Sequence, residues 1–206
     1  MAQTLNVYLI NKAGDLKGLF KDDARKSSAA LLKTFFEATI KGSTKYNAVA
    51  VTWDGKKSQP VLGDFVCYVL TTGSDSVVAQ HATGDSITLG PSGTTMMDPV
   101  SKGVISEVYM RSIVQGGDER ALATANKENA VAACIFHELG HNLLDATTPN
   151  VTNVHKMTNP DGLLRDTDSS RLKPDETPNA TDNAAFVTGY GRRGAGVKQF
   201  TDDMPT

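Results

Sequence analysis

The sequence predicts an α+β domain built on a mixed sheet, with one long amphipathic helix and a second, more deeply buried helix late in the chain. Three observations carry this. Short β-patterned runs open the chain on either side of a helical stretch, glycine and proline punctuate them, and one strongly helical segment follows near residue 130. With 206 residues, 39% hydrophobic and 21% charged, the chain has the size and composition of one globular domain, read here as spanning 1–206.

The elements follow in order. Leu5 to Ile10 alternates as a first strand. From Asp22 to Ile40, the spacing of Ala24, Leu31, Leu32, Phe35, Phe36 and Ile40 predicts an amphipathic helix, with Gly42 as its stop signal. Ala48 to Trp53 reads as a second strand and Asp64 to Thr72 as a third, buried one. The stretch from Gly73 to Gly103 is rich in Gly, Ser, Thr and Asp, so loops with short strands such as Ser86 to Leu89 are expected. Val104 to Ile113 reads as one further strand. From about Asn126 to Ala146 comes the strongest helical pattern, and from about Thr147 the composition turns loop-rich.

The bulk numbers exclude several classes. A net charge of −2 gives no electrostatic case for nucleic acid or an anionic membrane surface. No run approaches the roughly 18 apolar residues that span a bilayer. The first ten residues lack a basic region and a long apolar run, so a cytoplasmic protein is expected, or one exported without an N-terminal signal peptide, or numbered from a processed start. Cys67 and Cys134 sit in apolar surroundings and are expected as free thiols.

The residues that carry chemistry are His137-Glu138-Leu139-Gly140-His141. On a helix, residues four apart differ by about 40° in direction and about 6 Å in height, so two imidazoles converge on one ion. Neutral imidazole suits Zn²⁺, and three protein ligands leave a fourth position for water. Glu138, turned about 100° from His137, is placed to serve the water rather than the metal, the position of a general base. Phe136, Leu139, Leu143, Val131 and Ile135 cover the other side of the helix, while Ala130 and Cys134 continue the histidine face. For the third ligand, His155 is favoured, beyond a turn-forming Thr-Thr-Pro-Asn stretch, and Asp145 is the runner-up. Asp161 and Asp166 are more distant candidates, and Glu176 lies in a segment poorly suited to a helix. One Zn²⁺ per chain is expected.

The run from His137 to Asp145 resembles the zincin metallopeptidases, and more narrowly their metzincin branch. The coarse order of elements is similar to that branch, and Met157, in Lys-Met-Thr-Asn-Pro, looks like its methionine turn. The resemblance implies a zinc peptidase with His137 and His141 as ligands, Glu138 as base and a cleft for an extended peptide or protein substrate. It also marks a divergent member. The long metzincin motif places glycine three residues after the second histidine and a third histidine three later, where this chain has Leu144 and Thr147. With Asp145 as ligand the spacing to Met157 is easier; with His155 it is very short.

Other residues complete the expectation. Tyr190, in a glycine-rich segment, is a candidate oxyanion stabiliser. Glu107 and Tyr109 are read as bordering the substrate cleft, on an edge strand able to pair with a peptide. His81 is read as a solvated loop residue, and Arg192-Arg193 is too short a basic patch to imply a partner. Two readings compete with the peptidase: a metal-stabilised binding or structural protein, and a zinc amidase acting on a non-protein or cell-wall amide.

Overall fold

Five strands and four helices account for most of what the structure, a computed structural model, describes: residues 2–53, 64–76, 93–97, 104–115 and 127–144, with the side chains of 96, 97, 104, 105 and 141–144 left aside. Strand β1 is Gln3–Asn11, helix α1 Leu16–Leu19, α2 Asp22–Thr39, β2 Tyr46–Trp53, β3 Phe65–Leu70, β4 Gly93–Met97, β5 Val104–Tyr109, α3 Met110–Gln115 and α4 Lys127–Leu144. A short 3₁₀ turn, Gly73–Asp75, follows β3. The expected Ser86 to Leu89 strand and everything after 144 lie outside the described residues.

The sheet runs β2-β1-β3-β5-β4. Its first four strands are parallel, and β4 joins the far edge antiparallel to β5. This mixed sheet with helices is the expected α+β class. Helices α2 and α4 pack side by side on one face: α2 against β2, and α4 against β3, β5 and β4. Alternation along β1 sends Leu5, Val7 and Leu9 into that layer, where Phe65, Cys67, Val69 and Val108 meet them. The opposite face is buried too, at Tyr8, Tyr68, Leu70, Glu107 and Tyr109. Strands buried on both faces read as near-continuous apolar runs, as Phe-Val-Cys-Tyr-Val-Leu does here.

Helix α2 follows its predicted stripe. Leu32, Phe35 and Phe36 are fully buried, with Ala24 and Leu31 packed at the margin. Asp22 and Asp23 occupy its first turn, where acidic side chains favour the helix dipole, and Arg25 bonds to Asp22, holding that carboxyl below its ordinary pKa. Beyond the helix, the Ser43 N–H donates to Ile40 O at 2.8 Å. Gly42, with φ +83°, sits in the left-handed region this turn requires.

One element departs from expectation. Val104 to Ile113 is not a single strand: β5 ends at Tyr109 and α3 begins at Met110. Met110, Ile113 and Val114 are all buried, a spacing of three and four that marks a helical stripe. The unbroken apolar run hides the change of period. Among the described residues no helix is long and apolar enough to cross a membrane.

The two large helices are joined by aromatic rings. Phe136 of α4 meets Phe35 edge-on at 5.6 Å between centroids and Phe36 at 5.1 Å, and Phe36 meets Phe65 at 5.3 Å. Such contacts add about 0.5–1.5 kcal/mol each beyond area burial. We predict that Phe136→Ala lowers the unfolding free energy by about 3–5 kcal/mol in urea titrations. A loss below about 1 kcal/mol would show that this cluster does not hold α4 in place.

Candidate metal centre

Helix α4 lies against the sheet with nearly its whole circumference covered. From Asn129 to Gly140 every residue is buried except Cys134 and His137. These two are three apart, so they mark a single open strip along the helix. Helix α4 continues to Leu144, so position 141 stands on the same helix one turn beyond His137. The expected side-by-side placement of His137 and His141 on one helix is therefore met at the level of the backbone.

Glu138 faces the other way, into the sheet edge. Antiparallel pairing sets Thr95 of β4 opposite Ser106 of β5, and Gly93 opposite Val108. Period-two alternation turns Gly93, Thr95, Ser106 and Val108 to the same face, beneath α4. Glu138 lies over this group, only 8% exposed. The Thr95 hydroxyl is 2.7 Å from Glu138 Oε2 and 2.8 Å from the Glu138 carbonyl oxygen. The Ser106 hydroxyl donates to that carbonyl at 3.0 Å and lies 3.0 Å from Thr95 Oγ1. A buried carboxylate is tolerated only with such donors.

Gly93 makes the approach possible. A Cβ there would stand 2.7 Å from the Glu107 carbonyl oxygen, 2.8 Å from Glu138 Oε1 and 2.9 Å from Glu138 Cγ. The first is main chain of the paired strand and cannot swing aside. Glycine is required by space, not by dihedral angle.

Gly93, Thr95 and Ser106 escape a reading of the sequence because Gly-Thr-Thr-Met-Met lies within a stretch composed like a loop. The signal present was weak: two β-branched threonines and two methionines, followed after a gap by a strong strand able to pair with them.

Glu107 and Tyr109 correct another expectation. Strand β5 is flanked by β3 and β4, so it is interior, and among the described strands the edge belongs to β4. Glu107 is 0% and Tyr109 1% exposed, which removes them from any cleft border. The Tyr109 hydroxyl donates to Glu107 Oε2 at 2.9 Å. Burial, then the Glu107 charge, pushes the Tyr109 phenol far above its ordinary range, so it stays a donor.

Both cysteines are free, as expected. Desolvation of the partly covered Cys134 thiol by the protein around it, then the charge of Glu138, pushes it up to about 12, and burial raises Cys67 as well. A protonated thiol is a poor metal ligand and a poor nucleophile.

Histidines at positions 137 and 141 of one helix, with Glu138 between them, are residue types that Zn²⁺ sites use. Among the described residues no three His, Cys, Asp or Glu side chains come together as a metal site. The third-ligand candidates His155 and Asp145 lie outside the described residues, as do Asp161, Asp166, Glu176, Met157, Tyr190, His81 and the Arg192-Arg193 pair. No family model matches the chain, and no curated protein matches its sequence.

Two outcomes follow from this geometry. Gly93→Ala is expected to lower stability by about 1–3 kcal/mol through overpacking; an unchanged melting temperature would contradict the close approach. In the native protein at pH 8, Cys134 should react with iodoacetamide roughly a thousandfold more slowly than an unperturbed thiol, since its thiolate fraction falls with the raised pKa. Mass spectrometry of the alkylated peptide checks this; labelling at the rate of free cysteine would contradict it.

Proposed function

We propose that the protein is a zinc-dependent metallopeptidase that hydrolyses peptide bonds, with Glu138 as general base. The observation that carries the reading is that His137, on the open side of α4, and position 141 stand one turn apart on that helix, while Glu138 between them is held against the sheet edge. A carboxylate buried and hydrogen-bonded this closely is costly to maintain for packing alone, since an apolar residue of similar volume would fill the space without desolvating a charge.

In this reading His137 and His141 hold one Zn²⁺, with His155 as third ligand and Asp145 as runner-up. Zinc supplies Lewis acidity that brings the pKa of water towards about 7. Glu138 takes the water proton and passes it to the leaving amine. The imidazoles act as neutral ligands, so their protonation at low pH opposes metal binding and activity. The substrate is an extended peptide or protein. Met157 would lie beneath the metal as a methionine turn, and Tyr190 would steady the oxyanion.

The test separates binding from turnover. Metal analysis should find one zinc per chain, lost in His137→Ala and in His141→Ala. Glu138→Gln should keep the zinc and lose peptidase activity by at least about a hundredfold. Full activity in Glu138→Gln would remove the mechanism, and a wild-type protein without affinity for zinc would remove the reading. Zinc content of His155→Ala and Asp145→Ala decides the third ligand.

A further inference from the structure

Two hydroxyls meet two acceptors of Glu138 beneath α4, its carbonyl oxygen and Oε2, and the distribution of their protons assigns a role to a residue on β4. Ser106 Oγ is 3.0 Å from the Glu138 carbonyl oxygen and serves it. Thr95 Oγ1 lies within reach of the same carbonyl, at 2.8 Å, and of Glu138 Oε2, at 2.7 Å. One hydroxyl carries one proton. With the carbonyl served by Ser106, the Thr95 proton goes to the carboxylate, where a charge-assisted bond is stronger than one to a neutral oxygen.

We propose that Thr95 is a positioning residue for Glu138: its hydroxyl fixes the carboxylate through Oε2, while Ser106 serves the carbonyl oxygen of the same residue. Gly93 leaves the space into which the carboxylate is drawn. The catalytic consequence rests on the zinc-peptidase reading; the contact itself does not. Three features set it apart from incidental packing. Thr95 is held by β4–β5 pairing opposite Ser106, its partner Ser106 is 0% exposed, and Thr95 and Ser106 both reach one residue across 43 and 32 positions of sequence. A valine in place of Thr95 keeps the shape and β-branching and removes only the donor, whereas a serine keeps the donor.

The experiment has two arms. In the metal-free protein, Thr95→Val should lower the melting temperature by about 3–8 °C in the wild-type background and by clearly less in Glu138→Ala, because the lost bond is to that side chain. In the zinc-loaded protein, Thr95→Val should lower kcat about ten- to hundredfold with KM and zinc content unchanged, and Thr95→Ser should restore most of it. Ser106→Ala should lower kcat severalfold and make the Thr95→Val effect smaller than additive. Equal melting-temperature losses in both backgrounds, an unchanged kcat in Thr95→Val, or no rescue by Thr95→Ser would each overturn the proposal. Should the stability coupling appear while the wild-type protein hydrolyses no peptide, the positioning contact stands and the peptidase reading falls.

Discussion

Helix α4 carries the candidate ligands, so the closeness of α4 to the sheet edge governs the rest of the structure. A helix of ordinary side chains packs on a sheet at a separation that leaves no room for a carboxylate between them. Here Gly93 removes a side chain, Thr95 and Ser106 contribute short ones, and Glu138 enters the space they leave. Desolvating an ionised carboxylate costs several kcal/mol unless donors replace the lost water. The Thr95 hydroxyl is such a donor to the carboxylate, and the Ser106 hydroxyl serves the carbonyl of the same residue. On the other side of the helix, Phe136 against Phe35 and Phe36 supplies the apolar attraction that presses α4 onto the sheet. One helix thus meets an apolar demand and a polar one at positions two apart, 136 and 138.

That arrangement also divides the labour between strands. The parallel strands β1, β3 and β5 are buried on both faces and supply most of the core. Strand β4 is short, sits at the edge and runs opposite to its neighbour. Its reversed direction is what sets Thr95 opposite Ser106, so that two hydroxyls converge on one residue of the helix above. Glu107, on the same interior strand as Ser106 but pointing to the other face, meets Tyr109 instead and takes no part in the group under α4.

The core was readable from the sequence because periodicity reports burial directly. Leu32, Phe35, Phe36 and Ile40 recur at helical spacing, and Leu5, Val7 and Leu9 alternate as a strand does, so a local pattern sufficed. The helix around His137 was readable for the same reason, and its histidine spacing is what the proposed function rests on. The unread parts depend on pairing between distant residues. Nothing local to Gly93-Thr94-Thr95 tells that it lies beside β5, and a glycine required by space resembles a glycine in a loop. The junction at Met110 failed for a different reason: an apolar run satisfies strand and helix equally until its buried positions are known. Glu107 was misplaced because an interior strand and an edge strand share a composition when the neighbour is itself unrecognised.

The open strip raises the question of why Cys134, beside His137, is not a rival ligand. The answer lies in the same carboxylate. Desolvation by the surrounding protein and the charge of Glu138 together hold the Cys134 thiol protonated, with its pKa pushed up to about 12. A negative charge that opposes formation of a thiolate lowers the energy of a cation brought to the same region, because the two effects are one Coulomb interaction with opposite signs. Glu138 therefore biases its surroundings in two ways before any chemistry begins. It helps keep the neighbouring thiol protonated, and it lowers the energy of any positive charge brought near it. A carboxylate fixed by Thr95 exerts that field from a constant position, whereas a mobile one would be screened by the water it moved into. The hydroxyl on the edge strand and the neutral thiol on the helix are in this sense consequences of one buried charge.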